Sequence, residues 1–323
     1  MNTAAVDKLT NDITLYIPIV IIFVGNIGSL LNLLTFTSKE LRRNSCGWYF
    51  LMSSLFDISL INFAVITRLC SDHFGSNYQN TSRTYCKLRI YTTWTLPCIS
   101  TAYLVLSSLD RCWSTSEKTR YRAFSQIKVA HRITIVPIIL YCLTNSHQFF
   151  YFDLRPKCVA QPGAYSIFLS AYSIVWTSLI PQSLLLIFGL ITYRNIRISR
   201  RRLAQEIQTD KKKSRTDMHL IKMTLIQVIG STILLNIRTI YYAYSVLSPD
   251  AGKSDLQKAW ENFLYQISNY FFYANFCKSF YLNTLMSNLF RQVLLKRLKF
   301  CLSKIAPENF RIHPNTTSNA TVN

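Results

Sequence analysis

Seven stretches of this 323-residue chain are apolar over a length that matches the hydrocarbon core of a bilayer: residues 15–36, 48–69, 91–109, 133–152, 166–192, 220–246 and 260–286. Crossing a bilayer as a helix takes about 20 predominantly apolar residues. Lipid offers the backbone no hydrogen-bond partner, so each stretch must satisfy its own N–H and C=O groups, and a helix does this within one segment. The first, third, fourth and fifth stretches hold no Asp, Glu, Lys or Arg. Half of the chain is hydrophobic and 16% is charged, too apolar a balance for an ordinary soluble protein of this length. The expected fold is an all-α membrane protein, a seven-transmembrane helix bundle forming one domain over residues 15–286. Residues 1–14 are polar and mixed in charge, so they read as a short extracellular N-terminus with no cleavable signal, and the first stretch reads as a signal-anchor.

The bases fix the orientation. With the N-terminus outside, residues 38–48, 111–132, 194–222 and 291–323 face the cytoplasm and carry 25 of the 36 Lys and Arg residues. Short cytoplasmic loops are enriched in these residues, so N-out is the preferred topology. The net charge of +21 then follows from topology and attraction to anionic lipid, and implies no nucleic-acid partner. The expected location is the plasma membrane.

Beyond the last stretch, Phe290, Val293, Leu294 and Leu298 recur at helical spacing while Gln292, Lys296 and Lys299 point the other way. This predicts an amphipathic eighth helix over 287–300, lying in the membrane interface. Cys301 closes it as a candidate palmitoylation site. The tail 301–323, rich in Asn, Thr and Ser, reads as disordered. The inner segment 194–219 carries Arg200-Arg201-Arg202 and Lys211-Lys212-Lys213-Ser214, a run that fits a basophilic kinase site or, more simply, a solvated and lipid-facing charge cluster.

Polar groups inside the apolar stretches are the candidate site residues, because they are costly there and usually face the bundle interior. Asp57 lies mid-stretch, with Ser100, Asn275 and Ser279 at comparable depth. Their oxygens suit a hard cation such as sodium, and a protonated Asp57 bonded to its neighbours is the alternative. Lys278 and Arg238 also lie within apolar stretches, without an evident role. Asp110-Arg111 closes the third stretch: an arginine that cannot shed its proton belongs at the bilayer rim, and the acid beside it can hold or release it. Among nine cysteines there is no Cys-x-x-Cys pair. Cys86 and Cys158 fall on the oxidising side, with Cys70 near the same face as a competitor. The sequon at Asn80 is extracellular in this topology and is the candidate glycosylation site; those at Asn315 and Asn319 are cytoplasmic.

These residues resemble the rhodopsin-like family of G-protein-coupled receptors over residues 15 to about 300. Asp110-Arg111-Cys112 is similar to the family's Asp-Arg-Tyr, and Cys86 precedes Arg111 by the family's spacing of 25 residues (111 − 86). Asp57, Pro181 and Phe290-Arg291 match its acidic residue in helix two, its helix-five proline and the opening of its eighth helix. Leu41-Arg42-Arg43-Asn44, Tyr49-Phe50-Leu51, Ser279-Phe280-Tyr281 and Leu289-Phe290-Arg291 look most like invertebrate receptors of the FMRFamide-type peptide group.

The resemblance implies a Cys86–Cys158 disulfide and a heterotrimeric G protein as partner. It also implies a switch in which Arg111 is held at rest by Asp110, with Asp217 as a second partner. The chain departs from the family at Ser29, in lacking a Trp in the fourth stretch, in the absence of proline from residues 218–246, and in Ser279-Phe280-Tyr281-Leu282-Asn283. Helices six and seven therefore lack the family's proline hinges.

No metalloprotease, hydrolase or phosphate-loop motif is present and the five histidines are scattered, so no enzyme is expected. A transporter would show an internal repeat and broken helices. A chemosensory or non-signalling receptor-like protein is the nearer alternative to a peptide receptor. Thr93 stands where amine receptors carry an Asp, and Tyr273 where visual pigments carry a Schiff-base Lys. Acids and rings at the outer face (Asp153, Glu261, Tyr265, Tyr273) suit instead the Arg-Phe-amide end of a neuropeptide, its arginine meeting Glu261 or Asp153.

Overall fold

The computed structural model describes residues 2–203, 211–248 and 252–305. Six of the seven apolar stretches lie within a helix longer than themselves, and the fourth ends one residue past its helix, at Phe152, which opens a strand. The helices are α1 (Thr3–Phe36), α2 (Ser45–His73), α3 (Arg83–Ser114) and α4 (Ile127–Tyr151). They continue with α5 (164–203), α6 (Lys211–Leu247), α7 (Asp255–Met286) and α8 (Asn288–Ile305). Five of them, α1, α2, α4, α5 and α6, are long and apolar enough to cross a membrane. The protein is an all-α membrane protein.

α3 and α7, at 32 residues each, are equally long but spend many positions on hydroxyls and amides. Thr95, Ser100, Thr101, Ser107 and Ser108 of α3 and Ser268, Asn269, Asn275 and Asn283 of α7 are all buried. These two helices supply the polar interior, which is why they are less apolar than the rest.

The outward faces are apolar. Phe23, Ile27 and Leu30 on α1, Ile135, Ile139 and Leu143 on α4, Ile187 and Leu190 on α5, and Ile229, Ile233 and Ile240 on α6 are exposed. Apolar surface spread over this many helices is costly against water and at home against acyl chains. The residues ahead of position 15 are not a separate segment. They continue α1 back to Thr3, with Val6, Thr10 and Thr14 buried and Thr14 Oγ1 2.9 Å from His73 Nε2 of α2.

Small residues and polar side chains hold the helices together, as expected where lipid removes most of the hydrophobic drive between them. At Gly25 a Cβ would stand 2.6 Å from Ile61 and 2.8 Å from the Cys277 sulfur, so only glycine lets α1 approach α2 and α7 this closely. Asn26 and Asn62 exchange amide hydrogen bonds between α1 and α2. Trp48 Nε1 of α2 and the Tyr103 hydroxyl of α3 both donate to Thr134 of α4, at 2.8 and 2.7 Å.

α8 docks through buried Phe290, Val293 and Leu294, with Gln292, Lys296 and Lys299 exposed. The Phe290 ring centroid lies 5.4 Å from that of Phe36 and 6.0 Å from that of Phe280. The helix runs on through Cys301 to Ile305, past the boundary at 300 read from the sequence, with Cys301 half-buried and Phe300 and Leu302 exposed; residues 306–323 lie outside the described residues.

Candidate functional site

At one end of the bundle a two-stranded hairpin, β1 (Phe152–Leu154) and β2 (Cys158–Ala160), lies against α3. Three ties fix it there. Cys158 is disulfide-bonded to Cys86, with Cα atoms 5.7 Å apart, while Cys70 is free. The Cys158 N–H donates to Asn80 Oδ1 at 3.1 Å. Arg83 grips Asp153 with two N–H donors, at 2.8 and 2.6 Å. Those donors, helped by the Leu154 N–H, hold the Asp153 carboxyl below the usual carboxylate range.

A cavity of about 330 Å³ opens among α2, α3, α5, α6 and α7 at this end, near the lower limit of the volumes that hold small ligands. Thr93, Tyr265 and Tyr273 line it. α2 and α5 each carry a π turn, Ile61–Val65 and Ser173–Leu179. Both turns contribute wall residues, Ala64 from the first and Ser173, Ile174, Thr177 and Ser178 from the second. Such single turns recur at functional sites because they re-aim side chains.

Asp153 and Glu261 are not in this wall. Asp153 is committed to Arg83, and Glu261 accepts from Lys253 Nζ and the Tyr244 hydroxyl, both at 2.8 Å. Glu261 borders a separate shallow pocket with Tyr241, Lys258 and Tyr265. The charged residues of the main cavity are others: Arg68 and Asp72 of α2, Arg89 of α3 and Arg238 of α6. The sequence had marked Arg238 only as a base inside an apolar stretch, and Arg68 and Arg89 not at all. At helix ends both look like ordinary snorkelling residues.

Deeper in the bundle, Asp57 is buried and accepts from the Ser100 hydroxyl, which is 3.0 Å from that of Ser53. Ser279 does not join them; its hydroxyl and carbonyl accept from Gln227 Nε2 of α6. Asn275 does not offer Asp57 a coordinating oxygen either, because its side-chain oxygen accepts from Lys278 Nζ. That ammonium also donates to Ser231 Oγ at 2.8 Å and to the Asn275 carbonyl at 2.9 Å. It lies within electrostatic reach of Asp57, with no contact ion pair between the two. Gly230 leaves room for the lysine stem, since a Cβ there would stand 3.1 Å from Lys278 Cε. Of the four residues read from the sequence as a sodium site, Asp57 and Ser100 meet, while Asn275 and Ser279 bond elsewhere, to Lys278 and Gln227. Among the described residues no cluster of three or more His, Cys, Asp or Glu side chains is placed to hold a metal.

At the opposite end of α3 from the cavity, Asp110 and Arg111 form an ion pair, 2.5 Å from Arg111 to Asp110 Oδ2, with both side chains only 3% exposed. Ser125, from the segment between α3 and α4, donates to the other carboxylate oxygen at 2.8 Å and lies 3.4 Å from Ser45 of α2. The carboxylate is therefore satisfied on both oxygens. Asp217 falls in α6, but its side chain lies outside the described residues. Asn80 uses its side chain to hold Cys158 and Asn77, and Cys301 is partly exposed on α8. Comparison with protein-family models finds no match, and comparison with curated proteins finds none either.

Proposed function

We propose that this protein is a seven-helix receptor of the rhodopsin-like, G-protein-coupled kind, which carries the binding of an extracellular ligand to a heterotrimeric G protein inside the cell. In this reading α3 and α7 are the two further spans, the N-terminus is outside the plasma membrane, and the cavity under the disulfide-tethered hairpin is the ligand site. A short peptide is the proposed ligand.

One observation carries the reading. A single helix, α3, has the cavity near one end and, near the other, a buried acid–base pair with nothing catalytic around it. Burying two charges is expensive, and replacing such a pair by apolar residues is often neutral or stabilising, so it contributes little to the fold by itself. A pair that holds a guanidinium closed until a partner competes for it is a switch. The basic segment 111–132 continues from that same end, the sequence 194–222 is basic as well, and both suit a partner with acidic surface.

The test is nucleotide exchange on a G protein in membranes containing the receptor, with surface expression followed in parallel. Asp110→Asn should raise basal exchange several-fold. Arg111→Ala, alone or combined with Asp110→Asn, should abolish exchange while the protein still reaches the surface. Exchange that persists in the double variant would refute the reading, as would flux of a solute through vesicles carrying the protein.

A further inference from the structure

The charge of the main cavity is one-sided. Arg68, Arg89 and Arg238 line it and Asp72 is the single acid in its wall, so the charged residues sum to 3 − 1, or +2. Asp72 is spoken for by Arg68, at 3.6 Å within α2. Arg89 donates Nε to Thr67 Oγ1 at 3.2 Å. Arg238 has no carboxylate within ion-pair distance among the described residues. It stacks on the Phe272 ring, 3.9 Å from its centroid, and reaches the Tyr242 hydroxyl at 3.4 Å. A guanidinium has five N–H donors, so most of those on Arg89 and Arg238 have no acceptor among the described residues. The three groups face a common space: Tyr273 lies within electrostatic reach of all three, and Arg68 within reach of Arg89.

We infer that the ligand is anchored in this cavity by a carboxylate, which Arg238 grips as a two-pronged donor with Arg89 and Arg68 completing the positive field. This rests on the proposal that the cavity is the ligand site. The guanidinium fork matches a carboxylate in geometry as well as charge. Five rings, Trp94, Tyr242, Tyr265, Phe272 and Tyr273, share the wall with Ser, Thr, Asn and Gln side chains, so a ring beside the carboxylate finds aromatic partners there. An Arg-Phe-amide end fits poorly here. It would bring a further positive charge to a cavity already at +2, while the two acids expected to receive its arginine are held by Arg83 and Lys253. A peptide ending in a free aromatic acid fits, and so does a small aromatic acid; the chemistry they share is a carboxylate beside a ring.

The full-length protein in nanodiscs allows binding to be read with no G protein present, from the shift in Tm, at fixed chloride concentration. Three probes share one ring: 3-phenylpropionate, 3-phenylpropanamide and 3-phenylpropylamine. A tetrapeptide ending in Phe is added as the free acid and as the amide. At least one of the two acids should raise Tm saturably, and the amides and the amine should not. A shift with 3-phenylpropionate points to a small acid; a shift with the peptide acid alone points to a peptide C-terminus. Arg238→Gln should weaken acid binding at least about tenfold, as expected when a charge-assisted contact is lost, and Arg238→Lys should lose less. Lys296→Gln, on the exposed face of α8 and outside the cavity, should bind the acid as the wild type does. The inference is overturned if no acid shifts Tm, if the amides or the amine shift it as much as the acids, or if Arg238→Gln binds like the wild type. Because signalling is not read, a receptor that binds the acid but drives no nucleotide exchange counts against the receptor function and leaves the carboxylate site standing.

Discussion

Replacing Asp57 by Asn tests the interior charge arrangement most directly. Asn keeps an acceptor for the Ser100 hydroxyl and nearly the same shape, so what it removes is the negative charge that faces Lys278. Removing one partner of a buried pair in contact costs about 3–5 kcal/mol, because the other charge stays behind uncompensated. This bounds the cost for Asp57 and Lys278, which lie within electrostatic reach without a contact ion pair. At roughly 2–4 °C per kcal/mol for a domain of a couple of hundred residues, the Tm should fall by several degrees and by no more than about 20 °C. Lys278→Met should cost a similar amount. It strands Asp57 and leaves Ser231 Oγ and Asn275 Oδ1 without their shared donor.

The double variant carries neither charge. It should therefore be less destabilised than the sum of the two single variants, by about 2 kcal/mol or more. Unfolding can be followed in detergent with a thiol-reactive dye that reports exposure of Cys46 and Cys98, both buried thiols outside the disulfide. Exchanging sodium for choline in the buffer should leave the wild-type Tm unchanged, since a tethered ammonium already stands by Asp57. Additivity of the two variants within about 0.5 kcal/mol, or a wild-type Tm that rises with sodium and loses this rise in Asp57→Asn, would refute the reasoning.

Three further outcomes follow from local geometry. Cys158→Ser opens a loop spanning 72 residues, a loss of about 4 kcal/mol on chain entropy alone, seen as a lower Tm and as loss of the Tm shift by the cavity's carboxylate probe. Phe290→Ala empties a fully buried ring site between Phe36 and Phe280 and should cost about 3–5 kcal/mol, read in the same thermal assay; a change under about 1 kcal/mol would mean that α8 does not dock through this ring. Asp153 has its carboxyl held down by Arg83, so the tie contributes above the usual carboxylate range and is lost as pH falls through the lowered value. Faster proteolysis at the hairpin on acidification, absent in Arg83→Gln because the tie is already gone, is the expected sign.

Much of the fold could be read from the sequence because a helix in lipid is specified locally: each apolar run must close its own hydrogen bonds. The Asp110–Arg111 pair was legible for a similar reason, since both partners are adjacent in the chain. Cys86 and Cys158 could be narrowed by compartment, though Cys70 could be set aside only once the hairpin was in place. The sodium reading failed on direction. Depth along a helix placed Asn275 and Ser279 beside Asp57, but Ser279 turns to Gln227, and Lys278, between them in sequence, reaches back to bond Asn275. The acids offered to a ligand failed on pairing. Arg83 and Asp153 are 70 positions apart, and nothing in either neighbourhood announces the contact. The arginine-lined cavity was hidden because its members come from three helices: Arg238 stands inside an apolar run, Arg68 falls one residue short of the end of another and looks like an ordinary end residue, and Arg89 precedes a third.

What α6 presents to α7 bears on how two distant ends can be linked without a hinge. Residues 211–247 contain no proline, so the hydrogen-bond ladder is unbroken along a helix of about 55 Å at 1.5 Å per residue. Gln227, Ser231 and Arg238 recur at intervals of four and seven, which places them on one face. That face meets α7 mainly through contacts that can be exchanged rather than through packed aliphatics. Arg238 lies over Phe272 at the cavity, Ser231 accepts from Lys278 in mid-bundle, and Gln227 donates to Ser279 and Asn283 towards the Asp110–Arg111 end. A helix that cannot bend must shift or rotate as a rod. A rod held by a stripe of single hydrogen bonds, each modest once its alternatives are counted, can trade them for others at small cost. In the proposed reading, a carboxylate that draws Arg238 off Phe272 acts at one end of this stripe, and the unbroken helix passes the change on as a displacement of the whole rod instead of a change in its kink.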